Sequence, residues 1–207
     1  TPECIVESSV ECKIDDLGDI DGINSKEFAL KFKDAFDIAE IDINRAVTHN
    51  KGIMNGVDAI LISTGNDFRA VEAGVHAFAS NNGKYRSLSK CSITDDIFKI
   101  SREIPLSIGT VGGITDVHPM VKLSLKLLNN PTSDELMKII CSVGLAQNFA
   151  AVKSLVTSGI QKGHMKMHLI NLLIKKNASK DQIDKSEEYF KDKDINSQSV
   201  KDFLNKN

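Results

Sequence analysis

Thr132 and Glu135 stand three apart ahead of a long run rich in apolar residues. That is the spacing of a capping box, in which each side chain satisfies the other's otherwise orphaned backbone N–H. No strong stop follows until Ser158 and Gly159, so the spacing predicts one helix from about Ser133 to Thr157. A chain of 207 residues can bury a real core around such an element, either as one large domain or as a main domain with a small appendage.

Other punctuation fixes the neighbours of that helix. Asn24 and Glu27 offer a second capping box ahead of Phe28, Phe32, Ala35, Phe36 and Ala39 at helical spacing. A further helix is expected from near Asn50 through Val57, Ile60 and Leu61, ending before the small polar turn 63–66. Asp67 then opens a helix with Ala70, Val71, Gly74, Val75 and Phe78 on its buried face. Residues 85–93 and 97–104 are rich in β-formers and read as the one clear hairpin, turning at Thr94, Asp95 and Asp96. Val117, Val121, Ser124, Leu125 and Leu128 make another helical stripe, stopped by Asn129, Asn130 and Pro131. After Gly163 the pattern becomes a short apolar helix, a break at Asn177, a helix capped by Ser179 with Gln182, and a last helix after Ser197. The fold class expected is α+β, mainly helical, with residues 1–160 as a main domain and 161–207 as a small helical tail laced with alternating charges.

Charge and composition exclude whole classes of function. A formal net charge of −2 gives no basic footprint for nucleic acid. The longest apolar runs, 57–62 and 170–174, are far short of the roughly 20 residues that cross a bilayer, so no membrane span is expected. Cysteines at positions 4, 12, 91 and 141 show no metal or redox spacing, which fits reduced thiols in the cytoplasm. The chain opens at Thr1 without a signal-peptide pattern, and the missing Met suggests that something lies upstream.

The densest polar and glycine-rich cluster is Arg45 to Gly56, followed by 63–67. Glycines among polar side chains let a ligand approach the backbone closely. Lys51 could present a fixed cation where negative charge develops on a substrate oxygen, with Asp67 near enough to keep it protonated. Spacing alone leaves the other reading open: a surface lysine and a helix cap. The 108–113 run lacks both the Lys-Ser/Thr of a P-loop and the spacing of a dinucleotide fold, which favours a tight turn. His164 and His168 lie four apart without a third ligand, so no metal is expected, and a histidine after Gly163 suits proton donation.

The stretches THNKGIMNG (48–56), TGND (64–67), GTVGG (109–113), GLAQN (144–148) and GHM (163–165) together resemble, in order, the second half of 3-hydroxy-3-methylglutaryl-CoA (HMG-CoA) reductases. The GHM phrase and the 43 residues after His164 resemble the bacterial and archaeal type, class II, with its C-terminal helical flap. The resemblance implies part of that family's large, substrate-binding domain plus the flap. It also implies reduction of HMG-CoA to mevalonate and CoA by two successive hydrides from NADH or NADPH, at active sites built between the subunits of a homodimer. By motif, Lys51 would stabilise the oxyanion, Asp67 would organise the lysine, and His164 would protonate the departing CoA thiolate. Arg45 and Asn55 match positions that hold the HMG carboxylate and reacting groups. Gln147, Asn148, Ala151 and Leu155 match pocket-lining positions, and His168 is a candidate for cofactor or CoA phosphates.

The family's catalytic glutamate and its nucleotide-binding small domain precede the matched region and are not visible in this sequence. The chain is therefore expected to be a fragment or one half of a split enzyme, inactive alone, with the missing half on the same or a separate chain. The competing reading is a non-catalytic acyl-CoA-binding or assembly module derived from that family.

Overall fold

The computed structural model describes residues 4–157, 159–191 and 193–205, apart from the side chains of 160–164 and 166. The chain divides into two compact units, Thr1–Thr157 and Ser158–Asn207. Among the described residues the first unit holds β1 (Ile5–Lys13), α1 (Ser25–Ile41), α2 (Ile43–Ser63), α3 (Phe68–Ala79), β2 (Ser89–Thr94), β3 (Ile97–Pro105), α4 (Pro119–Leu127) and α5 (Ser133–Val156). The second holds α6 (Ile160–Lys175), α7 (Lys180–Tyr189) and α8 (Ser197–Leu204), closed around Leu169, Leu173, Phe190, Val200 and Phe203. The mainly helical α+β architecture is the one expected.

Local chemistry accounts for most boundaries. Both arms of the Thr132/Glu135 box are made, and so are both arms of the Ser179/Gln182 box. The box at Asn24 is only half made: Asn24 accepts from the Glu27 N–H, while the Glu27 carboxylate turns to Lys31 at 2.7 Å. Helix α2 starts seven residues before the expected Asn50, because Asp42 caps it by accepting from the Arg45 N–H at 2.7 Å. Ala70, expected on the buried face of α3, is exposed, and Val71, Val75 and Ala79 form that face instead.

The hairpin is present, with Asp95 and Asp96 both at positive φ (50° and 61°) in its two-residue turn. A third strand went unforeseen. β1 pairs antiparallel with β3, giving the order β1-β3-β2. It escaped the pattern because Glu7, Ser8, Ser9 and Glu11 dilute any apolar alternation.

The inward row of β3 reads Phe98, Ile100, Arg102, Ile104. Phe98 meets Phe32 of α1 at 5.4 Å between ring centroids, and Phe149 of α5 closes the cluster. Arg102 is the exception in this row. It is 1% exposed; Nη2 donates to the Cys141 carbonyl, but Nε and Nη1 have no partner among the described residues. Gly144 makes the room, since a Cβ there would collide with the guanidinium. Burial lowers the arginine pKa, the sign of a charge held at a cost. Arg102→Met, which keeps the bulk and removes the charge, is therefore expected to raise unfolding free energy by about 1–4 kcal/mol in urea titration. An unchanged or lower midpoint would mean the guanidinium is compensated.

By length and composition α5 is the one described helix that could cross a membrane. The expectation of none weighed only the short runs 57–62 and 170–174 and passed over α5, whose apolar residues are spaced by small or uncharged polar ones such as Ser142, Gly144 and Gln147. In this fold α5 packs on α2, β1, α1 and β3.

Candidate functional site

Helices α2 and α5 meet through small residues. A Cβ on Gly52 would stand 3.3 Å from Ala151 Cβ, and one on Gly56 would stand 3.0 Å from Gln147 Cβ and 3.2 Å from the Val143 carbonyl. One turn repeats on each side, 52 and 56 against 147 and 151, so the two backbones run close together for that length. Lys51 and Asn55, also one turn apart, are both exposed on the stripe beside this seam. Gln147, Ala151 and Leu155 form one face of α5 at four-residue spacing, from half-buried to exposed. Arg45 joins Leu155 in lining a recess of about 280 Å³ with Lys31, Asp34, Ala35 and Ile38. Its pKa is lowered by burial. Six of the expected residues thus share one region: Arg45, Lys51, Asn55, Gln147, Ala151 and Leu155.

Asn148 belongs behind that surface rather than on it. It is fully buried, and its Oδ1 accepts from the Ser89 hydroxyl at 2.8 Å. Ser89 Oγ in turn lies 2.6 Å from His49 Nε2. With the hydroxyl proton directed at Asn148, His49 Nε2 is the donor, and Nδ1 has no hydrogen-bond partner among the described residues. This His49–Ser89–Asn148 chain ties α2 to β2 and α5 on the buried side of α2, two residues before the exposed Lys51. Burial first, and then the Arg45 charge, push the His49 pKa from 6.5 down to about 3, so the ring is neutral. The next residue, Asn50, clamps the start of β2: its Nδ2 donates to the Arg86 carbonyl at 2.9 Å and its Oδ1 accepts from the Leu88 N–H at 3.0 Å. His49, Asn50 and Ser89 escaped the sequence reading. The available signal was two polar residues at core positions of an otherwise amphipathic helix.

Asp67 is not brought to Lys51 within one chain. At about 1.5 Å per residue, Lys51 lies roughly 15 Å along α2 from Leu61. The Asn66 N–H is tied to the Leu61 carbonyl at 2.8 Å in a C-terminal turn completed by Gly65 at φ 72°. Asp67 is therefore held at the far end of α2, where its Oδ1 caps α3 by accepting from the N–H groups of Arg69 and Ala70 at 3.1 and 3.2 Å. Among the described residues no ion pair joins it to Lys51; its cationic neighbour is Arg69 Nε at 3.7 Å.

The glycine-rich turn at 109–113 is already engaged. The Gly109 N–H donates to Asn66 Oδ1 at 2.9 Å, and Asn66 Nδ2 donates to the Gly109 carbonyl at 3.1 Å. That pairing occupies the Gly109 N–H, one of the donors a phosphate would need. His164 lies on α6 of the second unit, with its side chain outside the described residues. His168, on the same helix, is exposed. A larger, mainly apolar recess of about 480 Å³ lies between β1 and α5, lined by Cys12, Phe98, Ile100, Leu145 and Phe149. Its lining includes Glu11 and three serines but no Lys, Arg or His to neutralise a developing oxyanion, so the open seam beside Lys51 remains the candidate.

Residues 2–169 match the family model for Hydroxymethylglutaryl-coenzyme A reductase. The chain is 44% identical over 168 residues to the 3-hydroxy-3-methylglutaryl-coenzyme A reductase of Archaeoglobus fulgidus, an alignment covering 81% of this chain and 38% of that protein. It is 45% identical over 150 residues to a probable enzyme of the same name from Borreliella burgdorferi, covering 72% and 35%. The solved class II enzyme of Streptococcus pneumoniae, bound to NADPH in open conformations, superposes with a TM-score of 0.70 at 41% identity over 98% of this chain and 49% of that one. The chain thus spans less than half the length of the relatives it matches.

Proposed function

The chain belongs to the hydroxymethylglutaryl-coenzyme A reductase family, in its class II branch, and from that premise we propose that it supplies the lysine-bearing part of a reductase converting HMG-CoA to mevalonate and CoA. The observation that carries this reading is the α2–α5 seam, which sets Lys51 and Asn55 beside Gln147, Ala151 and Leu155.

NADH or NADPH, when bound, supplies the two hydrides; the residues that would hold its nucleotide belong to the remainder of the enzyme. Lys51 Nζ neutralises the alkoxide formed at the thioester carbon and again at the aldehyde carbon. Arg45 offers the carboxylate of the HMG group a half-buried guanidinium, and Asn55 hydrogen-bonds the reacting oxygen from one turn beyond Lys51. Ala151 and Leu155 keep the acyl portion out of water. Asp67, out of reach of its own Lys51, serves the lysine of a second copy, so the working unit is a homodimer. His164 is assigned the proton donated to the departing CoA thiolate on resemblance alone, and His168 a contact with a phosphate of CoA or cofactor. The cytoplasm is the compartment that suits a chain with these thiols.

In a spectrophotometric assay, the 207-residue chain alone is expected to show no HMG-CoA-dependent NAD(P)H oxidation. Adding the remainder of the enzyme, as a separate chain or by fusion, is expected to restore it. Full turnover by the chain alone, or none after completion, would refute the assignment.

A further inference from the structure

Two polar side chains occupy core positions immediately before Lys51. His49 is 2% exposed and Asn50 0%. With about 100° between successive helical residues, they flank the buried stripe of Ile53 and Val57 from opposite edges, and Lys51 follows on the outer side of α2. A helix that needed only burial there would carry apolar residues and avoid desolvating an imidazole and a carboxamide.

Each is held to different elements. His49 reaches Asn148 of α5 through the Ser89 hydroxyl, and the Phe36 ring of α1 packs edge-on against it at 4.7 Å between ring centroids. On the other edge the Asn50 carboxamide spans the lead into β2, pairing with the Arg86 carbonyl and the Leu88 N–H, groups that a neighbouring strand would otherwise satisfy. The glycine contacts at 52 and 56 set how near α2 lies to α5, but glycine has no side chain to resist a turn of the helix about its own axis. The two directional arms supply that resistance. A turn of about 10° swings a group ~6 Å from the axis by about 1 Å, and a misplacement of that size can cost a reaction about 10²-fold.

We infer that His49 and Asn50 are positioning residues, which fix the rotation of α2 about its axis and so aim the Lys51 ammonium at the reacting oxygen. Both are buried and act through the lysine rather than on the substrate. The inference rests on the role proposed above for Lys51.

Steady-state kinetics of the enzyme completed by its missing half tests it, with each substitution made both beside Lys51 and in the Lys51→Ala background. Asn50→Leu and His49→Leu, which keep bulk and lose the bonds, are each expected to lower kcat by about 10²-fold while KM for HMG-CoA stays within about threefold. His49→Gln, which still donates to Ser89, recovers most of that loss. In the Lys51→Ala background the same leucine substitutions cost no more than about threefold, because the group they aim is gone. Should circular dichroism show that a leucine variant does not fold, Ser89→Ala breaks the His49 arm from β2 without touching α2. Its expected loss is about tenfold, and it too disappears without Lys51. Folded variants with no loss, with a loss undiminished in the Lys51→Ala background, or with KM rising as far as kcat falls overturn the inference and leave the lysine's role standing. A Lys51→Ala loss of only a few-fold sinks the proposed function, and the inference with it.

Discussion

Lys51→Ala, in the enzyme completed by its missing half, lowers kcat by about 10³-fold or more while leaving the melting temperature of the first unit within a degree or so. The side chain is exposed and makes no ion pair among the described residues, so its removal takes little from the fold. On the function proposed above, it removes the ammonium opposite a developing alkoxide, worth about 4 kcal/mol of barrier at that rate loss. Lys51→Arg keeps the charge but spreads it over a planar fork, and is expected to recover only part of the rate. Steady-state kinetics with saturating HMG-CoA separates the outcomes. A few-fold loss in kcat, or a loss confined to KM, would leave Lys51 as a binding residue and favour the acyl-CoA module over the enzyme.

Acid unfolds the first unit through His49. The ring is 2% exposed and its pKa falls from 6.5 to about 3. In the unfolded chain it takes up a proton below about 6.5, which the folded chain refuses until near pH 3. Its contribution is therefore fully present above pH 6.5, is lost progressively as the pH drops toward 3, and amounts to at most about 5 kcal/mol over that window. Asp58 opposes this slope. Burial and Glu72 raise its pKa from 3.8 to about 6, so the folded state is favoured below pH 4 and loses that advantage as the pH rises through 6. His49→Gln, which can still donate to Ser89 but cannot be protonated, isolates the histidine. The difference in urea midpoint between wild type and His49→Gln is expected to shrink steadily from pH 7 to pH 4. A difference that does not change with pH would show that the ring takes up its proton as readily in the folded chain as in the unfolded one.

Helices with explicit start signals were legible from the residues: Thr132 with Glu135, Ser179 with Gln182, and Asp67 at the head of α3 all act locally, within a turn of chain. Strand β1 was not, since its place is set by pairing with β3 about ninety residues away and its own side chains carry no alternation. The start of α2 was lost for a smaller reason: Asp42 follows Ile41 directly, so two helices abut and their apolar stripes blur into one. Within the site, Arg45, Lys51, Asn55, Gln147, Ala151 and Leu155 were found by motif and converge on one seam. In the polar layer beneath them only Asn148 was named, as a pocket-lining position, while its partners His49 and Ser89 were missed, because a buried hydrogen-bond chain that joins three separate elements leaves no periodic trace in any of them. The interior position of Arg102 has no local signal: a charged residue in a strand ordinarily faces solvent, and only the register with Ser89 and the space above Gly144 place it inside.

The backbone approach at Gly52 and Gly56 bears on motion as well as on shape. Where two helices are spaced by long side chains, rotamer changes let the axes breathe. Where main chain rests almost directly on main chain, there is no such slack, and sliding one helix past the other would drive Gln147 or the Val143 carbonyl into the glycine it faces. The backbone that carries position 51 is thus held against α5 by atoms that have no torsional freedom, leaving the lysine's own four-carbon stem as the flexible part.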